Sequence, residues 1–238
     1  MSPNAHPLIL ASSSPRRQEL IRTLGLPYVI RVSDADETVE PGLSPAQIVE
    51  TLALRKAETV HELIRKERDL QGGVIIGSDT VVVLDGEVLG KPRDREDAFM
   101  TLTRLQGSTH EVFSGVACLA AGEPEQAQES AAAARSVGPS MSYRLRHGAE
   151  TEKPSAAVGH SVSKVTFRPM SPDEIRAYIA TGEPMDKAGS YGVQGLGSLF
   201  VERIDGDFYS VMGLPMNLLY SMLLEFGISP FRQPEGRV

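Results

Sequence analysis

The chain has 238 residues, a formal net charge of −7 and no tryptophan. That length can bury a full core, as one large α/β domain or two small lobes. The acidic balance disfavours a general polyanion-binding surface but leaves room for a local basic pocket. No apolar run approaches a membrane span, and the start MSPNAHPLIL lacks the basic region and long apolar core of a signal peptide. With a single cysteine, Cys118, there is no internal disulfide, and a cytoplasmic protein with no membrane partner is expected.

Leu8 to Ala11 is a short apolar run that reads as a strand and leads into Ser12-Ser13-Ser14-Pro15-Arg16-Arg17. Ser14 suits an N-cap, Pro15 suits the first helical position, and Gly25 stops the helix. Free N–H groups, the positive dipole end and two guanidinium forks would together favour phosphate. The same residues also fit serines that only cap and arginines that only face water.

Tyr28 to Val32 alternates like a strand and runs into Asp34, Asp36 and Glu37, a solvated acidic loop or a source of oxygen ligands for Mg²⁺. Ser44-Pro45 then opens a helix to about Arg68 whose apolar stripe includes Leu52, Ala53, Ala57 and Val60. Lys56 falls near the middle of that stripe, where it either snorkels or meets a buried anion. Its apolar stem suggests that methionine could replace it at little cost to stability.

Val74 to Leu84 is β-branched and bounded by glycine, a buried strand with Asp79 between Ser78 and Thr80. A carboxylate there must be paired, hydrogen-bonded or metal-bound, unless the segment is a capped turn that leaves it in water. Asp85-Gly86 turns the hairpin, Glu87-Val88-Leu89 returns, and Lys91 follows.

Asp94 opens a helix that Gly107 ends, and Val112 to Leu119 reads as a strand in which Gly115 permits close backbone approach. Ala120 to about His160 is rich in Ala, Glu, Gln, Ser and Gly, and predicts a flexible surface insertion at 121–158. Val162 to Phe167 is the next strand, and Ser171-Pro172-Asp173-Glu174 is a capping box. A glycine-rich loop over 182–197 follows, able to approach a ligand closely. A hairpin from Leu199 turning at Asp205-Gly206 and a last helix over 214–226 complete the chain. With no repeat or linker, 1–238 reads as a single domain.

A P-loop, GxGxxG, GxSxG and HExxH are all absent, and the histidines lack metal-ligand spacing. Carboxylates, lysines, arginines and hydroxyls remain, an inventory suited to metal-assisted attack on a phosphate ester or anhydride. LASSSPRRQEL, the Lys56 helix, IIGSDTVV, GEVLGKP, GEPMDKAGSYGVQG and GLP (213–215) occur in that order. Together they resemble the Maf family of nucleoside triphosphate pyrophosphatases over nearly the whole chain, apart from 120–160 and the tail after Gly227.

The resemblance implies an α/β fold in which an elongated mixed sheet with flanking helices forms two lobes around a cleft, similar to inosine triphosphate pyrophosphatases. It implies hydrolysis of a nucleoside triphosphate to the monophosphate and pyrophosphate with a divalent cation, Mg²⁺ or Mn²⁺, and a homodimer. Carried over by position, Asp79 is the proton acceptor, with Lys56 and Lys91 catalytic. Ser12, Ser14, Arg16, Arg17, Thr80, Lys187 and Gln194 contact substrate, and Glu37 and Asp79 the metal. The YGVQG form resembles the subgroup acting on dTTP and UTP, and a primary amide can pair both a uracil carbonyl and its N3–H. The family is also associated with septum inhibition in cell division, a regulatory reading that needs no general base. Net acidity and the lack of aromatic stacking clusters argue against a nucleic-acid polymer as partner.

Overall fold

The computed structural model describes residues 7–67, 70, 72–122, 134–147 and 154–231. In chain order the strands are β1 (Leu8–Leu10), β2 (Tyr28–Ile30), β3 (Val74–Leu84), β4 (Glu87–Leu89), β5 (Thr109–Ala120), β6 (Arg135–Gly138), β7 (Met141–His147), β8 (Pro154–Phe167) and β9 (Val201–Asp205). The helices are α1 (Pro15–Thr23), α2 (Pro45–Glu67), α3 (Arg95–Leu105), α4 (Pro172–Ala180), α5 (Phe208–Met212) and α6 (Met216–Glu225). All these strands join one mixed sheet of order β2-β1-β3-β5-β8-β7-β6, with β4 on β3 and β9 on β8. The β1 pairings with β2 and β3 are parallel and the others antiparallel. This is an α/β fold with helices on both faces of the sheet.

Alternation along β3 explains where the polar centre lies. Val74 and Ile76 join a core cluster with Leu20 and Ile21 of α1 and Leu218 and Met222 of α6. Val82 and Leu84, on the same face further along, join a different cluster with Leu102 of α3 and Ile175 and Ile179 of α4. Ser78 and Thr80 occupy the interval between them. On the opposite face Ile75 packs with Ala53, Ala57 and Val60 of α2, and Val81 and Val83 pack with Val49. Gly77 and Asp79 fill the gap there. Gly-Ser-Asp-Thr is therefore a polar seam on both faces of an otherwise apolar strand.

The sheet edge is also open at this point. β1 pairs with β3 only as far as Ile76, and β4 begins pairing at Val82. Ile76 points its carbonyl at the Ala11 N–H, so strand alternation turns the backbone groups of Ser78 and Thr80 to the same edge.

Two expectations are corrected. Of the expected insertion at 121–158, residues 135–138, 141–147 and 154–158 are strand, while 123–133 and 148–153 lie outside the described residues. β8 runs back to Pro154 because the long β5 offers a continuous partner, from Thr109↔Thr166 to Leu119↔Ala156. Tyr143, Leu145, Ala156, Ala157 and Val158 are buried there, enough small apolar surface to cover the sheet without a conspicuous hydrophobic run. Gly206 likewise leads into a short helix, α5, capped by Asp207, rather than into a returning strand; the expected last helix over 214–226 is α6, which follows α5 after Gly213 at φ 116°. No helix among the described residues is long and apolar enough to cross a membrane.

α2 lies against the sheet backbone itself. A Cβ on Gly77 would stand 2.0 Å from the Ala53 carbonyl oxygen, and one on Gly115 would stand 2.2 Å from that of Val49. Gly77→Ala and Gly115→Ala should each destabilise by roughly 1–3 kcal/mol, the usual cost of overpacking a filled core. Gly90→Ala, with nothing within 4 Å of the added carbon, should be neutral in the same denaturant titration. Equal stability of all three variants would show that α2 has room to retreat.

Candidate active site

The open edge of β3 faces a cleft of about 380 Å³ lined by the start of α1, Glu37, Lys56, Asp79, Lys91, the 186–193 loop and residues 211–213. Asp79 is buried in its wall. Lys56 Nζ lies 2.6 Å from Asp79 Oδ1 and 2.8 Å from Glu37 Oε1, and the Lys56 and Asp79 side chains are only 12% and 13% exposed. The lysine in the apolar stripe therefore meets a buried anion. Lys91 stands more loosely on the far side of Glu37, at 3.7 Å from Oε2. The Lys56 hydrogen bond, opposed by some desolvation and helped by Lys91, holds the Glu37 carboxyl below the usual carboxylate range.

Glu37 belongs to an irregular segment, yet it is well placed. Arg55, next to Lys56 on α2, donates from Nη1 to the carbonyls of Asp36 and Thr38, both at 2.6 Å. One helix turn thus grips the backbone on either side of Glu37 and, through Lys56, its carboxylate.

Ser14 sits at the N-cap of α1, but its side chain makes no capping hydrogen bond. The Ser12 hydroxyl instead accepts from the Ser14 N–H at 3.2 Å. Ser12, Ser13, Ser14, Arg16 and Arg17 all line the cleft, so the helix start presents backbone donors and hydroxyls toward it.

Arg17 is tied to the far wall. Its Nε donates to the Gly213 carbonyl at 2.7 Å and its Nη2 to Thr80 Oγ1 at 3.2 Å. Thr80 Oγ1 and Ser114 Oγ are 2.8 Å apart, and Ser114 Oγ donates to the Ser210 carbonyl at 2.7 Å. Because the single Ser114 proton is committed to a carbonyl, Thr80 must donate to Ser114 while accepting from Arg17. Thr80 can therefore only accept from a ligand. Burial pushes the Arg17 guanidinium down, with the Asp79 charge opposing.

The glycine-rich loop supplies Asp186, Lys187, Tyr191, Gly192 and Val193 to the cleft. Lys187 Nζ lies 2.7 Å from Asp186 Oδ1 and also donates to the Glu183 carbonyl. Gly189 and Ser190 take positive φ, 70° and 59°, a conformation that costs a non-glycine residue roughly 1–2 kcal/mol. The turn they make aims Tyr191 inward, where its hydroxyl meets His110 Nε2 at 2.9 Å. Burial pushes His110 down to about 4, so this imidazole is neutral near pH 7.

The fold thus gathers Ser12, Ser14, Arg16, Arg17, Glu37, Lys56, Asp79, Thr80, Lys91 and Lys187 on one cleft, from segments spread across the sequence. Gln194 is not among the lining residues, although its neighbours Gly192 and Val193 are. Sequence reading missed Arg55, Ser114 and the Gly213 carbonyl as parts of the site. Arg55 carried a usable signal, its position beside Lys56. Ser114 acts through partners remote in sequence and gave none, while Gly213 opens the GLP block without marking its carbonyl as an acceptor.

A family model for "Maf-like protein" matches residues 7–226. The chain belongs to the Maf family. A relative in Desulforamulus reducens named dTTP/UTP pyrophosphatase is 43% identical over 222 residues, covering 93% of this chain and 97% of its own. Relatives of the same name in Symbiobacterium thermophilum and Bacillus pumilus are 43% and 40% identical, covering 96% and 94% of this chain and 98% of their own.

The ion pair also revises the expected tolerance of Lys56. Methionine would fit its stem but leave Asp79 buried without its closest cation. Lys56→Met should destabilise by roughly 3 kcal/mol, as breaking one side of a buried pair does. Lys56→Met/Asp79→Asn should recover much of that loss in urea titrations. A double variant no more stable than the single would mean that Asp79 is adequately held by other groups.

Proposed function

We propose that the cleft binds a nucleoside triphosphate, dTTP or UTP in preference, and hydrolyses it to the monophosphate and pyrophosphate. The observation that carries this reading is the Lys56–Asp79 pair set in the polar seam of β3, on the same cleft as the start of α1, whose N-cap side chain makes no capping bond. The names of the relatives point the same way. Ser12, Ser14, Arg16 and Arg17, with Lys187 on the same cleft, form a cationic cradle for the phosphate chain. Asp79 takes the proton of the attacking water, Lys56 fixes its orientation, and the bridge between the α and β phosphates breaks. Lys56 and Lys91 offset the charge that develops on the departing pyrophosphate.

Glu37 and Asp79 are the residues that would hold a divalent cation, Mg²⁺ or Mn²⁺. Both are hard oxygen donors on the cleft wall, and the described residues include no group of three or more His, Cys, Asp or Glu able to hold a metal. Such a sparse set suits an ion bound jointly by protein carboxylates, substrate phosphate and water. When bound, the cation neutralises phosphate charge.

We also infer that the α1–α6 and α3–α4 clusters act as two lobes flanking the cleft, as in inosine triphosphate pyrophosphatases. A single domain over 1–238, a cytoplasmic location and a homodimer follow from the sequence reading and the family resemblance alone.

Pyrimidine choice rests on Thr80 and the glycine-rich loop. A Thr80 oxygen that can only accept suits the N3–H of thymine or uracil and not the bare N3 of cytosine. Gln194 follows Val193, the last residue of that loop on the cleft wall, and its amide would read the same base edge from the rim. Mismatched buried groups commonly cost about 10² to 10⁴ in kcat/KM.

A nucleotide panel with product analysis tests the reading. dTTP and UTP should lead CTP, ATP and GTP, with pyrophosphate as the first product. Asp79→Asn should lower kcat by roughly 10²-fold or more, the usual size of a lost general base. Gln194→Ala should flatten the preference more than it lowers the best rate. Orthophosphate as primary product, or a purine triphosphate ranked first, would refute the proposal.

A further inference from the structure

One carboxylate outside the cleft wall closes the glycine-rich loop on itself. Glu183 Oε1 accepts from the Tyr178 hydroxyl at 2.9 Å and from the Gly197 N–H at 3.1 Å, and Oε2 accepts from the Leu196 N–H at 3.0 Å. The Glu183 backbone carbonyl takes the Lys187 ammonium. Tyr178 Oη in turn accepts from the Gly192 N–H at 3.2 Å. Gly195, at φ 68°, approaches so closely that a Cβ there would stand 2.7 Å from Glu183 Oε2. These donors join the first residues of the loop to its last. Between them lie Asp186, Lys187, Tyr191, Gly192 and Val193, all on the cleft wall, whereas Glu183 is not.

We propose that Glu183 is a positioning residue, a clasp that holds the loop carrying Lys187 and Gln194 in the shape that grips and reads the substrate. The inference rests on the nucleotide reading of the cleft and deepens it. The chemistry is directional, since an ionised carboxylate only accepts and here faces three donors. A glutamine of nearly the same volume must turn its own N–H₂ toward at least one of them and lose that bond. The gain is also local. Asp79 and Lys56 stand on β3 and α2, outside the loop, so loosening the clasp acts on binding and discrimination before it acts on chemistry. The same clasp keeps the Gly189–Ser190 turn closed, because Gly192 and Gly197 are fixed on its far side.

Glu183→Ala and Glu183→Gln in the full chain test this, with kcat and KM measured for dTTP and CTP and amide exchange followed at Leu196 and Gly197. In Glu183→Ala both amides should exchange at least roughly tenfold faster. KM for dTTP should rise about tenfold, kcat at saturation should stay within about threefold, and the dTTP-over-CTP ratio should shrink. Glu183→Gln should fall between parent and alanine variant. Tyr178→Phe, which removes the hydroxyl's bonds to Glu183 and Gly192 but leaves the carboxylate on Leu196 and Gly197, should produce a smaller shift of the same kind. Unchanged exchange and KM in Glu183→Ala would overturn the proposal, as would a fall in kcat at constant KM. Loss of folding in both Glu183 variants by circular dichroism would also overturn it, because the carboxylate would then serve the whole fold. If the parent shows no pyrimidine preference, the nucleotide reading fails, while the exchange data still decide the clasp.

Discussion

The site depends on how closely α2 can lie on the sheet. Gly115 is the cross-strand partner of Asp79, and with no side chain there the α2 backbone at Val49 rests directly on β5. Gly77 admits the backbone of Ala53 and Ala57 in the same way. Lys56 lies between those two alanines, so the contact that removes side chains from the interface also fixes the height of the lysine over β3. A helix held farther off, at the usual spacing set by intervening side chains, would leave Asp79 without its 2.6 Å partner. A buried carboxylate so stranded would be costly. Packing and electrostatics are therefore one constraint at this point in the chain.

The opposite face of β3 solves the same problem with hydroxyls and a single guanidinium. Ser78 Oγ reaches the carbonyls of Gly115 and Gly213 at 2.8 and 2.9 Å, and the Arg17–Thr80–Ser114–Ser210 relay satisfies the remaining polar atoms of the seam. These bonds knit α1, β3, β5 and α5 into one wall. They also give each hydroxyl a defined direction, which turns a set of serines and threonines into specific acceptors. Pre-set dipoles of this kind stabilise charge without reorganising when it appears.

The sequence made the seam legible because its signals are local. A carboxylate inside a β-branched run, a lysine inside an apolar helical stripe and serines before a proline each violate or complete a short pattern. The structure brings all of them onto one cleft, but not Gln194. What escaped was non-local. β7 and the first part of β8 lack a hydrophobic run; β8 is paired along β5 and β7 along β8, so composition alone read them as loop. Asp205-Gly206 has the chemistry of a hairpin turn, but Asp207 caps a helix immediately afterwards and wins. Glu183 acts mainly on backbone N–H groups, partners that every residue carries, so nothing in the side-chain pattern marks it.

The charges of the cleft follow one rule, which separates its lysines by what each can contribute. Each is paired with a carboxylate: Lys56 with Asp79 and Glu37, Lys91 with Glu37, and Lys187 with Asp186. Pairing lets an acidic chain concentrate cations without their repelling one another. The pairs are not equivalent, however. Lys56 and Lys187 are 12% and 13% exposed and held at 2.6 to 2.8 Å, while Lys91 is 61% exposed and 3.7 Å from its partner. The first two have already lost their side-chain freedom in folding, so a polyanion meets them in place. Lys91 must still be ordered, at a side-chain entropy cost of up to about 2 kcal/mol. Fixed charge therefore comes from Lys56 on α2 and Lys187 on the glycine-rich loop, and Lys91, beyond the β3–β4 hairpin, is the adaptable cation.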